Sequence, residues 1–114
     1  MGYYAMRRVE ATTEFLSWLD SLRDVAARAR IQVRIDRLAH GNPGQHRRLR
    51  EGVFELKIDV GPGYRVYYTL RGVSVVLLLA GGDKSSQDRD IAKAIRFAKA
   101  LKECRHGKAQ IEPD

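Results

Sequence analysis

The chain has 114 residues, 44% of them hydrophobic and 31% charged, with 21 Lys and Arg against 14 Asp and Glu for a formal net charge of +7. This length supports one hydrophobic core, and no apolar run approaches the roughly 20 residues that span a bilayer. The single cysteine, Cys104, excludes an internal disulfide and a thiolate zinc cluster, while the excess of cations asks for an acidic or polyanionic partner such as nucleic acid. The opening "MGYYAMRRVE" has neither the apolar core nor the cleavage site of a secretory signal, so the expected location is the cytoplasm, with no membrane attachment.

In chain order, residues 3–9 read as a short strand. Thr12 or Thr13 then caps a helix with Phe15, Trp18, Leu19 and Leu22 on one face. Asp24 opens a second helix with Ala27, Ile31, Ile35 and Leu38 inward, and Gly41 in "HGNPG" stops it. The short connection predicts an antiparallel helical hairpin. Along the flank of the second helix, Arg30, Arg34 and Arg37 follow at i, i+4 and i+7, which makes either an anion-binding edge or a solvated face.

Four runs, 47–51, 53–60, 64–71 and 73–80, are separated by glycine-bearing turns and predict consecutive antiparallel strands. Phe54, Leu56, Ile58 and Val60 form the apolar face of the second run, and Tyr64, Val66, Tyr68 and Leu70 that of the third. A hairpin closing at "GPG" must join apolar face to apolar face, because a slip of one residue would invert every side chain. Lys57 or Asp59 is then expected across from Arg65, with Tyr67 beside them. The run 73–80 is apolar nearly throughout and is expected to be central and covered on both faces.

After it, "GGDKSSQDRD" leads into a last helix, with Ser85 and Asp88 at capping-box spacing. Ile91, Ala94, Ile95, Ala98 and Leu101 supply its buried face, and Lys99 and Lys102 suit its C-terminal end. Residues 104–114 lack apolar periodicity and are expected to form a disordered tail behind a domain of residues 1–103.

Positive charge collects on the solvent side of the expected strands. Arg48 and Arg50 share a face of the first, Lys57 lies on the second, and Arg65 and Arg71 lie on the third, while Lys84 follows Gly81 and Gly82 in a loop where backbone can approach a ligand. Cations beside tyrosines suit a phosphodiester, with rings packing on ribose or base. The sequence has no P-loop spacing and no H-E-x-x-H or C-x-x-C pattern. His40, His46 and His106 do not cluster, and His46, the one beside the basic strands, reads as an ordinary loop histidine. No metal or other cofactor is expected.

Three blocks, "VRIDRLAHGNPG" at 33–44, "GVFELKIDVGPGYRVYY" at 52–68 and "LLLAGGDKSSQDRDI" at 77–91, resemble the RelE/ParE toxin superfamily, and within it the phage-derived Gp49-like, HigB-type killer proteins. The resemblance implies an α+β, RelE-like fold, in which an N-terminal strand and helical hairpin pack on a curved antiparallel sheet with a C-terminal helix. It also implies the toxin of a type II toxin–antitoxin pair, a ribosome-dependent messenger RNA endonuclease that uses the ribose 2′-hydroxyl as nucleophile. By the same resemblance Arg65 stabilises transition-state charge, Lys57 carries charge or a proton where this branch commonly has arginine, Tyr67 transfers a proton or stacks, and Lys84 is a second phosphate cation.

Arg30, Arg34, Arg37, Arg48, Arg50 and Arg71 are the expected RNA and ribosome contacts. The expected partners are messenger RNA, the ribosome and a helix-turn-helix antitoxin, through which alone operator DNA is met. A gyrase inhibitor of ParE type and an inactive antitoxin-binding module remain the alternatives. Structural roles also stand beside the chemical ones: Tyr67 packed on the last helix, Asp83 bracing its loop, and Asp59 paired with Arg65.

Overall fold

The computed structural model describes residues 6–105. In order come β1 (Arg8–Ala11), α1 (Thr13–Ser21), α2 (Val25–Ala39), β2 (His46–Arg48), β3 (Val53–Ile58), β4 (Tyr64–Arg71), β5 (Val75–Asp83), a 3-10 turn (Lys84–Ser86) and α3 (Gln87–Arg105). The sheet order is β1-β5-β4-β3-β2, and β1 lies parallel to β5 while the other pairs are antiparallel. The expected α+β plan is present. The sheet is mixed rather than wholly antiparallel, because the chain returns through two helices before entering the β2–β5 meander.

The first strand lies later than expected, at Arg8–Ala11, and residues 3–5 lie outside the described residues. Of the expected tail, residues 104 and 105 continue α3 and residues 106–114 lie outside the described residues. Thr12 is the N-cap of α1: its hydroxyl accepts from the Phe15 amide at 3.0 Å and donates to the Leu79 carbonyl at 2.8 Å. One buried hydroxyl therefore caps a helix and ties the β1–α1 junction to β5. Asp24 caps α2 by accepting from the Ala27 amide at 3.1 Å, as its position predicts.

Two apolar layers sandwich the sheet. Phe15 and Leu19 of α1, with Ala27, Ile31, Ile35 and Leu38 of α2, pack on Leu56, Ile58, Tyr64, Val66, Tyr68, Val76 and Leu78. On the opposite face, Ala94, Ile95, Ala98 and Leu101 of α3 cover Val53, Tyr67, Leu77 and Leu79. The expected register of the β3–β4 hairpin is present, with Phe54 opposite Tyr68, Leu56 opposite Val66 and Ile58 opposite Tyr64. Gly61 and Gly63 hold positive φ in its turn, at 56° and 83°.

β5 departs from expectation in length and course. It runs to Asp83, and its register against β4 shifts between Tyr67, opposite Ala80, and Tyr68, opposite Leu78. The extra residue puts Leu79 and Ala80 in the same α3-side layer and reverses the facing of the residues that follow. Gly81 thus meets Trp18, whose ring would collide with an added Cβ, and Gly82 meets the Asp90 carboxylate. The two glycines make room for protein side chains within a strand, where a ligand-approach loop was expected. Gly82→Ala is expected to lower stability by about 2 kcal/mol through overpacking. The urea midpoint checks this, and a midpoint equal to the parent's would show that Asp90 can swing aside.

The cap before α3 also differs from expectation. Asp83 accepts from the Ser85 amide at 2.8 Å and forms the capping box with Ser86, in place of the Ser85 and Asp88 pairing. Asp83 therefore braces the turn, and the hydrogen bonds from Ser85 hold its carboxyl below the usual aspartate range.

Candidate active site

β3 carries alternating side chains, so Val53, Glu55 and Lys57 share the face on which α3 lies. α3 covers that face over Val53 and Tyr67, and the sheet continues past the helix's first turn. There Glu55 meets Arg47 across the β2–β3 ladder, Tyr67 across the β3–β4 ladder, and Gln87 from the start of α3. Lys57 lies opposite Arg65, as the alternation predicts. Gln45, His46, Arg47, Glu55, Lys57, Arg65 and Gln87 line a cleft of about 520 Å³, every one of them polar.

The Glu55 carboxylate organises this cleft. It is 4% exposed; Oε1 accepts from Arg47 Nε at 2.8 Å, Oε2 accepts from Gln87 Nε2 at 2.9 Å, and Arg65 Nε stands 3.7 Å from Oε2. Burial alone pushes this carboxyl up, but the hydrogen bonds from Arg47 and Gln87 and the charge of Arg47 outweigh it and hold Glu55 below the usual glutamate range. Arg65 is 6% exposed and donates through Nη1 to the Gly63 carbonyl at 2.9 Å. A Cβ at Gly63 would lie 3.4 Å from the same nitrogen, so the turn glycine also clears the guanidinium.

Arg65 therefore has a carboxylate partner, but it is Glu55 and not Asp59. The ladder ends at Ile58 opposite Tyr64, leaving Asp59 exposed beyond the strand, while Glu55 is the diagonal neighbour of Arg65 on the same face. Tyr67 is fully buried against α3, and its ring has no path to a base. Its hydroxyl lies beside the Glu55 carboxylate, close enough for the two to interact, but makes no hydrogen bond of good geometry among the described residues. Burial first, and the Glu55 charge second, push its phenol far above the usual tyrosine range. A buried, fully protonated phenol is core material and not a stacking platform. Lys84 is exposed at the start of the 3-10 turn, its Cβ near Gly63, beside the cleft rather than in its lining.

The remaining expected contacts do not converge here. Arg34 spends its guanidinium on backbone, donating to the carbonyls of Lys57 at 2.7 Å, Pro43 at 2.9 Å and Gln45 at 3.1 Å. It joins α2 to the 43–45 loop, which is why Arg30, Arg34 and Arg37 do not form a free triplet. β2 stops at Arg48 and places Arg47 on the Glu55 side. Arg48 pairs with Phe54 and lies over its ring, 6.0 Å from the centroid, and Arg50 is in the following turn. Arg71 is six residues along β4 from Arg65, about 20 Å in an extended strand, where it pairs with Glu10 at 3.7 Å.

Four cleft residues escaped the sequence reading: Gln45, Arg47, Glu55 and Gln87. Strand parity could have found Glu55, which shares a face with Lys57. Its partnership with Gln87 spans 32 positions and has no local signal. His46 is in the lining through its place on β2, but it pairs with Leu56, so strand alternation turns its ring to the α2 side of the sheet, where Nδ1 is 2.8 Å from the Gly44 carbonyl.

The chain is thus a small basic protein with a mixed five-stranded sheet between helical layers and a cation-lined cleft built around one buried carboxylate. The chain belongs to the family described as phage derived protein Gp49-like, whose model matches residues 17–103. That family is toxin-like and is associated with the toxins of toxin–antitoxin pairs. An uncharacterized protein of Haemophilus influenzae is 46% identical over 94 residues, covering 82% of this chain and 95% of the relative. No helix among the described residues is long and apolar enough to cross a membrane.

Proposed function

We propose that the chain is the toxin of a toxin–antitoxin pair and cleaves translated messenger RNA by transesterification. The observation that carries this reading is the cleft in which Arg47, Lys57 and Arg65 surround Glu55. In such a reaction the ribose O2′ attacks the adjacent phosphorus and the P–O5′ bond breaks. The products are a 2′,3′-cyclic phosphate and a free 5′-hydroxyl.

Negative charge grows on the non-bridging oxygens as the pentacoordinate state forms, and Arg65 and Lys57 answer it from one wall of the cleft. Glu55 acts behind them. With both oxygens occupied it holds the guanidiniums of Arg47 and Arg65 in place, so they need not reorganise during the reaction. The O2′ proton leaves to solvent and O5′ takes one from it, so the contribution of the cleft is charge and position. The ribosome presents the message, and an antitoxin keeps the chain silent.

Expression of the chain alone should arrest growth and, within minutes, create 5′-hydroxyl ends on translated messages, mapped by primer extension and by ligation selective for those ends. Growth arrest with intact messages and broken DNA would move the assignment to gyrase. Unimpaired growth at confirmed soluble expression would remove the toxin reading.

A further inference from the structure

The outer flank of α2 carries a second surface that the cleft chemistry does not use. Ala26, Ala29 and Val33 of α2, above the buried Ile58 at the end of β3, line a groove of about 700 Å³ together with Arg30, Arg34, Arg37, Gly44 and Gln45. Val33 is 46% exposed, so apolar surface lies open along the helix. Arg30 and Arg37 make no ion pair and no side-chain hydrogen bond among the described residues. Arg37 lies close enough to Arg34 for their like charges to repel, a cost that an incoming carboxylate would relieve.

We infer that this groove docks an acidic, amphipathic segment of a partner protein, with apolar side chains on Ala26, Ala29 and Val33 and carboxylates on Arg30 and Arg37. The inference rests on the toxin reading in taking the silencing antitoxin as that partner. Three features favour a protein segment over RNA. The floor is aliphatic, without an aromatic ring on which a base could stack. The central guanidinium, Arg34, is held by three carbonyls and is not free to grip phosphate. An apolar floor between cationic rims also matches helix-in-groove recognition, where alternate turns bury apolar anchors and flanking charges set the register.

The groove touches the cleft. Gln45 lines both, and the Lys57 carbonyl that anchors Arg34 belongs to the strand residue whose side chain faces the cleft. A segment seated on α2 that continues past Gln45 would cover the entrance to Arg65.

The experiment uses the full chain and, as probe, the purified protein encoded by the reading frame adjacent to its gene. Val33→Glu, Ala29→Glu and the double variant Arg30→Glu with Arg37→Glu are titrated by calorimetry, after melting temperatures confirm that each folds. All three should bind at least tenfold more weakly than the parent, and the parent's affinity should fall as salt rises. In cells, Val33→Glu and Ala29→Glu should still arrest growth, and co-expression of the neighbour should no longer relieve them.

Parental affinity in all folded variants would overturn the inference. Loss of growth arrest by Val33→Glu with undiminished affinity would assign the face to RNA or the ribosome instead. Conversion of a dimeric parent to a monomer by Val33→Glu, read by light scattering, would assign it to a second copy. A parent that binds the neighbour through this groove yet arrests nothing would sink the toxin reading and leave the docking site standing.

Discussion

Arg65→Ala is expected to lower RNA cleavage about a hundredfold, the loss of about 3 kcal/mol of transition-state stabilisation from one charge-assisted contact. Arg65→Lys should recover part of this, because an ammonium restores the charge but not the two-pronged geometry. Most of the affinity for the antitoxin should remain, since the groove that anchors it on α2 is built without Arg65. Glu55 keeps Arg47 and Gln87 when Arg65 is removed, so the carboxylate is not left bare and the fold should survive. Single-turnover cleavage on programmed ribosomes measures the effect. A folded Arg65→Ala protein that cuts at the parental rate would take Arg65 out of the active site.

The second large effect is expected at Glu55, and it falls on stability and activity together. Glu55→Ala leaves the buried Arg65 without its counter-charge and should cost about 3 kcal/mol, or roughly 10 °C in melting temperature for a domain of this size. Arg47→Ala should cost under about 1 kcal/mol, because that side chain is largely exposed and its pair with Glu55 is screened.

The same carboxylate gives a pH signature with a definite sign. Its folded-state pKa is depressed, so its stabilising contribution is complete above the unfolded glutamate value, about 4.3, and is lost as pH falls through the lower folded value. Glu55→Gln should flatten that part of the acid limb, and urea denaturation between neutral and acid pH reads it directly. An acid limb identical to the parent's would mean that Glu55 titrates as it does in the unfolded chain.

Much of this molecule was legible before its fold was known. Alternation in "VFELKI" and "YRVYYTLR" put Lys57, Arg65 and Tyr67 on one face, and the need to join apolar faces set the hairpin register that the fold displays. Thr12 and Asp24 announced two helix starts through their side-chain oxygens. The bulge in β5 was not legible, because "VVLLLA" is apolar on both faces and parity has no mark to follow. For the same reason Gly81 and Gly82 read as a loop, although Trp18 and Asp90 are what require them.

Local pattern thus determined which residues share a face, a property that periods of two and 3.6 residues carry along the chain. Only the tertiary structure decided which faces meet. Burying Tyr67 under α3 took its ring out of solvent, and engaging Arg34 with three carbonyls made a joint of it. Placing the first residue of α3 over β3 made Glu55 the hub of the cleft. Each of these outcomes depends on contacts across 9 to 32 positions or between layers, and such contacts follow from packing that no window of neighbouring residues contains.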